Sequence, residues 1–227
     1  MIDLSIDAVD VSYPGLAAPA LSIGHFALPA GARLAVTGAS GSGKSTLVNI
    51  LSGLERPRTG TVRWGGTDIT TLSESRRDRW RGETIGLVMQ DFHLFEGLSA
   101  LDNILLPARL ARAASRETES RARELLDTVG LSRPGQKVET MSRGEMQRVA
   151  VARALVRAPA VIIADEPTAS LDSESGAQVA DLIVRLAARE KSTLIVVSHD
   201  LSLIGRFENR IRLEGGRITP EDTQVAA

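Results

Sequence analysis

Gly38-Ala39-Ser40-Gly41-Ser42-Gly43-Lys44-Ser45 fits the pattern Gly-x-x-x-x-Gly-Lys-Ser/Thr. Each residue type in it serves a purpose. Glycines let backbone N–H groups turn inward and cradle phosphate oxygens. Lys44 places a point charge on the β and γ phosphates, and the Ser45 hydroxyl is suited to ligate Mg²⁺. A helix starting at Lys44 would aim its positive end at the same anion. A flexible Gly/Ser loop is the competing reading. Against it, one of only three lysines among 27 basic residues sits in the required slot.

A second cluster follows an apolar run. Ala160-Val161-Ile162-Ile163-Ala164 ends in Asp165-Glu166. An aspartate at such a strand end can hold the hydration shell of Mg²⁺. Glu166, one residue on, is placed to polarise an attacking water as general base. An acidic turn that merely terminates a strand competes with this, and the phosphate loop decides between them. His199 ends the next apolar run, Thr193 to Val197, where its imidazole would orient water or sense the γ-phosphate. A lone histidine is more often structural.

These residues need elements to position them. Residues 3–12 alternate apolar and polar, which predicts a strand. Tyr13-Pro14-Gly15 breaks it, and a loop is expected as far as the turn at Leu28-Pro29-Ala30-Gly31. Short strands are predicted over 33–37, 61–64, 68–69 and 84–89, and a helix over 44–51. From about Leu101 to Arg157 the pattern is helical, with one helix from Arg116 to Val129 and another from Arg148 to Val156. Two runs, 160–164 and 193–197, read as strands buried on both faces, as in a parallel sheet. Ser173 to Ala188 is amphipathic. Gly215-Gly216 marks a hairpin, and the last eight residues are expected to fray. Alternating strands and helices argue an α/β domain in which ligands sit beyond the carboxyl ends of the strands.

The chain has 227 residues, 43% hydrophobic and 24% charged, with net charge −1 and a pI near 6.3. Those values fit a globular protein. They show no basic excess of the kind nucleic-acid binders carry, so no nucleic-acid partner is expected. With no cysteine there are no disulfides or thiolate metal sites. The N-terminus lacks the basic and apolar regions of a signal peptide. No stretch reaches the ~18 apolar residues of a membrane span, so membrane work would need a docking partner.

In order, the chain shows Tyr13, the loop 38–45, Gln90, Met141-Ser142-Arg143-Gly144-Glu145-Met146-Gln147-Arg148, Asp165-Glu166-Pro167-Thr168, Ser170-Leu171-Asp172 and His199. This set resembles the ABC ATPases, over nearly the whole chain. The resemblance implies an α/β P-loop NTPase (RecA-like) core with a parallel sheet, a small antiparallel β subdomain and an inserted α-helical subdomain. It implies one ABC ATPase domain over 1–227, with 1–90 and 148–227 forming the nucleotide-binding core and 91–147 the helical subdomain.

By the same resemblance, the cofactors are ATP and Mg²⁺. Tyr13 stacks on adenine, and Thr46 joins Gly38, Ser40, Gly41, Ser42, Gly43, Lys44 and Ser45 around the phosphates. Gln90 touches Mg²⁺ and the water beside Glu166 and His199, so that Ser45, Gln90 and Asp165 are the metal ligands. Ser142, Gly144 and Glu145 fall in the family's signature segment, usually Leu-Ser-Gly-Gly-Gln, which starts a helix facing the ATP of a second copy. Asp172 lies in a loop that crosses that interface. The implied partners are a second copy and a separate integral membrane transporter subunit. The implied location is peripheral, on the cytoplasmic face of the bacterial inner membrane. Residues 92–107 resemble the ATPases of lipoprotein-releasing, macrolide-exporting and cell-division complexes, pointing to export or mechanotransmission. The alternatives are a soluble ABC ATPase of translation or DNA repair, and a small-molecule kinase.

The signature departs from the usual at three positions. Met141 conserves volume, and Glu145 is a familiar variant. Arg143 replaces a glycine. If that position needs a positive φ, arginine is strained there; if not, the side chain points outward or toward phosphate. ATPase activity is expected either way. Two further groups stand apart. Arg76, Arg77, Arg79 and Arg81 read as a solvated helix face in preference to a headgroup or partner contact. Phe92, Phe95 and Leu98 either line a groove for a partner helix or pack in the core.

Overall fold

The structure is a computed structural model that describes residues 1–220; the expected frayed tail lies outside the described residues beyond that point. Two sheets carry the architecture. The first is antiparallel, in the order β2-β1-β4-β5, from β1 (Leu4–Val11), β2 (Leu21–Leu28), β4 (Thr59–Trp64) and β5 (Thr67–Asp68). The second runs β10-β9-β3-β8-β7-β6, from β3 (Arg33–Thr37), β6 (Ile85–Val88), β7 (Val161–Asp165), β8 (Thr193–Val197), β9 (Asn209–Glu214) and β10 (Arg217–Pro220). In it every neighbouring pair is parallel except the β9–β10 hairpin.

The second sheet divides two cores. Strand side chains alternate between faces, and here the alternation is literal. Val161, Ile163, Ile195 and Val197 pack with α1 (Lys44–Leu51) and the antiparallel sheet. Ile162, Ala164, Leu194 and Val196 pack against the helices of the other face. Those helices are α3 (Ala100–Leu110), α4 (Arg116–Thr128), α5 (Arg143–Leu155), α6 (Ser173–Arg189) and the short α7 (Leu201–Ile204). The remaining helix, α2 (Glu74–Thr84), precedes β6. Being apolar on both sides is what made β7 and β8 readable as buried strands. The expected division at residues 147/148 falls within α5, which bridges the inserted helices and the sheet.

Strand β2 occupies the stretch read as loop. Its Leu21, Ile23 and Leu28 are buried, but Gly24-His25 interrupts the apolar alternation that would announce a strand. Helix α5 starts five residues earlier than its periodicity indicates. Ser142 accepts from the Glu145 N–H, and Glu145 accepts from the Ser142 N–H, a capping box that fixes the start. The arginine cluster on α2 is only half solvated: Arg76 and Arg79 are exposed, whereas Arg77 Nε and Arg81 Nη1 donate to the Gly53 carbonyl, at 2.9 and 3.1 Å.

Candidate functional site

Four parallel strands end at one edge of the second sheet. There β3 runs into the 38–45 loop, β6 into Gln90, β7 into Asp165-Glu166 and β8 into His199. A cleft of about 790 Å³ opens at this edge. Tyr13, Gly38, Ser40, Gly41, Gly43, Lys44, Ser45, Thr46, Gln90, Asp165, Glu166 and His199 all line it. The topology thus brings together residues as far apart in sequence as 13 and 199.

Backbone geometry shapes the loop. Gly43 N-caps α1 with φ 103°, and a Cβ there would lie 2.4 Å from the Ala20 carbonyl oxygen, so no other residue fits. Lys44 Nζ donates to the carbonyls of Gly38 and Ala39, at 2.8 and 2.9 Å, which folds the ammonium onto its own loop. Ser42 is buried beneath, its hydroxyl without a hydrogen-bond partner. An orphaned buried donor is rare, and here it sits within the glycine-rich loop.

Burial, then the neighbouring Glu166 charge, push the Asp165 carboxyl above its usual range, while Lys44 pulls it back. Glu166 sits at φ 45°, left-handed backbone that is uncommon outside glycine. It is held there by its N–H to the Val197 carbonyl, 2.8 Å. Its Oε2 meets His199 Nδ1 at 2.9 Å. The side chain of Glu166 is 13% exposed and that of His199 71%, so the imidazole reaches it from solvent. Backbone strain of this kind gathers at functional positions.

Ser45, Gln90 and Asp165 present oxygen donors to the cleft. Among the described residues no group of three His, Cys, Asp or Glu forms a closed metal cage. Hard oxygens with few carboxylates suit Mg²⁺, which shares its coordination with waters and phosphates. The donor set therefore fits the expected ion.

At the cleft mouth, the Tyr13 hydroxyl donates to Glu55 Oε2 at 2.7 Å, which orients the ring. Burial, then Glu55, raise the Tyr13 pKa. Glu55 was not anticipated, nor were Leu16, Ala20, Ala39 and Ala169 on the lining. Leu16 and Ala20 lie in the stretch read as loop, where no pattern marked them.

Ser142, Gly144, Glu145 and Asp172 do not line the cleft. They lie at the starts of α5 and α6, where Asp172 caps α6 by accepting from the Glu174 and Ser175 N–H groups. Hydrogen bonds from the backbone, then the hydroxyl, of Ser142 lower the Glu145 pKa. Arg143 has no positive φ, so the strain reading is excluded. Its Nε donates to the Ser170 carbonyl at 3.1 Å, and its guanidinium lies 5.6 Å from the Phe92 ring centroid. Phe92 itself is buried, at 7% exposure, and Phe95 is exposed at 57%, so the two phenylalanines divide between core and surface.

The family model described as ABC transporter matches residues 21–169. Among curated relatives, the lipoprotein-releasing system ATP-binding protein LolD of Hydrogenovibrio crunogenus is 44% identical over 200 residues, 87% of each chain. LolD 1 of Rhodopirellula baltica is 39% identical over 95% of each. Among solved structures, the dimeric post-hydrolysis ATP-binding cassette MJ0796 bound to ADP and Pi superposes with TM-score 0.88. It is 32% identical, and the match covers 99% of this chain and all of that one.

Proposed function

The chain belongs to the ABC transporter family, as an ATP-binding and ATP-hydrolysing subunit that serves transport, not translation or DNA repair; from that premise we propose that two copies close head to tail around two ATP molecules and drive a separate membrane-spanning partner. One observation carries this. The cleft holds the phosphate loop, Glu166, Gln90 and His199, yet Ser142, Gly144 and Asp172 are absent from its walls. A single chain is therefore half of a site, and the helix start at Ser142 is the missing half of another copy's site. The MJ0796 cassette, with which this chain superposes, is described as dimeric.

In each site Lys44 leaves the Gly38 and Ala39 carbonyls for the β and γ phosphates, while loop N–H groups hold their oxygens. The Tyr13 ring stacks on the adenine. Ser45, Gln90 and Asp165 would hold Mg²⁺, which would supply positive charge to the phosphate oxygens. Glu166 accepts the proton of the water that attacks the γ-phosphorus as the bond to ADP breaks. His199 keeps the carboxylate aimed. The partner copy's α5 N-terminus offers N–H groups to the charge that develops in the transition state.

Among the described residues no helix is long and apolar enough to cross a membrane. The chain works peripherally, on the cytoplasmic face of the bacterial inner membrane. The relatives named for lipoprotein release favour export or mechanotransmission. In a Glu166→Gln variant, ATP binding should persist, turnover should fall by two or more orders of magnitude, and an ATP-bound dimer should accumulate on size exclusion with light scattering. Turnover like the wild type's would remove Glu166 from its role.

A further inference from the structure

Arginine at the first helical position of α5 is electrostatically awkward. The N-terminal end of a helix is its positive end, and a cation there is unfavourable. Arg143 nonetheless occupies it, directly after the Ser142 cap. Its side chain runs to two places, the Ser170 carbonyl at 3.1 Å and the face of the Phe92 ring at 5.6 Å. Each contact belongs to a different part of the site. Ser170 follows the 166–169 turn, closed by the Ala169 N–H on the Glu166 carbonyl, and precedes the α6 cap at Asp172. Phe92 comes two residues after Gln90, at φ 57°. The backbone beside Arg143 runs close to α6, since a Cβ added at Gly144 would lie 3.4 Å from Ser175 Oγ in the first turn of that helix.

We infer that Arg143 is a positioning residue that locks the start of α5 to the 166–172 turn and to the segment after Gln90. A glycine at this position has no side chain to span those elements. A guanidinium suits the task because its planar face stacks on Phe92 while its Nε still donates. The geometry that matters is reached only when a second copy closes on the nucleotide. Arg143 is not on the cleft wall, so it acts on the assembled transition state and leaves the first binding of ATP alone. This rests on the proposed role of Ser142 and Gly144 toward the partner copy's ATP.

The test is steady-state Mg·ATP hydrolysis by the purified chain with Arg143→Met, Arg143→Gly and Arg143→Lys. Methionine keeps length and helix propensity without the donor. Lysine keeps the charge without the planar face. The Met and Gly variants should lose about tenfold in kcat with KM within about twofold of wild type. Lysine should restore part of the loss. Adding Arg143→Met to Glu166→Gln should reduce the ATP-bound dimer. Wild-type kcat in Arg143→Gly would overturn the inference, as would a raised KM at unchanged kcat, which marks a direct nucleotide contact. Should the methionine and glycine variants fail to fold, as judged by thermal unfolding, the wild-type-to-lysine comparison decides, and full kcat with lysine overturns it. Unchanged turnover in Glu166→Gln alone would instead sink the reading of the site, so the two failures are distinguishable.

Discussion

Arg153 shows how a residue far from the nucleotide can govern the segment that follows Gln90. It sits on α5, half-buried, and its Nη2 donates to the Phe92 carbonyl at 2.6 Å while Nη1 donates to the carbonyl of His93. Both recipients have left-handed backbone, φ 57° and 47°, and burial lowers the Arg153 pKa. Consider Arg153→Met, which keeps the stem and removes the donors. Two hydrogen bonds from a charged group contribute about 1.5–3 kcal/mol each. Against that, the variant no longer buries a cation, and the two residues can leave a conformation that costs about 1–2 kcal/mol each. The balance is a loss of about 1–2 kcal/mol. For a chain of this size each kcal/mol moves Tm by about 2–4 °C, so the midpoint should fall by about 2–8 °C. Urea unfolding should show a lower midpoint at unchanged slope. Hydrogen exchange should accelerate at residues 92–95, with the strands β7 and β8 keeping the higher protection. A variant within about 0.5 kcal/mol of wild type, with exchange at 92–95 unchanged, would refute the reasoning that these two bonds hold the segment.

Two further substitutions separate stability from turnover. In Asp165→Asn the group whose pKa is raised by burial and by Glu166 becomes neutral. A raised carboxyl gives stability in acid that is lost as pH rises through the folded pKa. The variant should therefore match wild type below the ordinary aspartate range and exceed it by about 0.5–2 kcal/mol at neutral pH, while ATP hydrolysis disappears. Equal stability at pH 4 and pH 7 relative to wild type would contradict this. In Gly144→Ala the new methyl meets Ser175 at ordinary van der Waals distance and no positive φ is required. Thermal unfolding should be unchanged or higher, by up to about 1 kcal/mol. ATPase rate should fall at least tenfold if the partner copy's phosphate packs against this backbone; a normal rate would show that it does not.

Much of this site is legible in the sequence because a phosphate constrains residue type as well as position. Gly43 and Lys44 cannot be exchanged without losing either backbone geometry or charge, and such requirements leave a pattern. The apolar runs ending at Asp165 and His199 are legible for a related reason, since strands covered on both faces must be apolar throughout. Strand β2 is not legible, because Gly24 and His25 break its alternation and only pairing with β1 makes it a strand. Arg153, Glu55 and Asn103 are silent for another reason. Asn103 is fully buried, accepting from the Phe95 N–H and donating to the Phe95 and Ser99 carbonyls. Nothing in its sequence neighbourhood distinguishes a polar residue that braces a loop from one that faces water. The arginines of α2 show the same blindness, since two of the four find Gly53, which only the fold brings near.

The two ends of α5 tie these threads together. At its start, Arg143 donates to the Ser170 carbonyl, and a Cβ added at Gly144 would lie 3.4 Å from Ser175 Oγ, so this end lies against the turn and helix that follow Glu166. Gln147, fully buried on the same helix, donates to the Pro167 carbonyl at 2.8 Å. Near its end, Arg153 grips Phe92 and His93. One helix therefore touches both the segment after Gln90 and the turn after Glu166. A helix cannot shift at one end without moving the other by a comparable distance, because its hydrogen-bonded backbone transmits displacement along the axis. Through the Arg153 bonds, a displacement of residues 92 and 93 would be felt by α5.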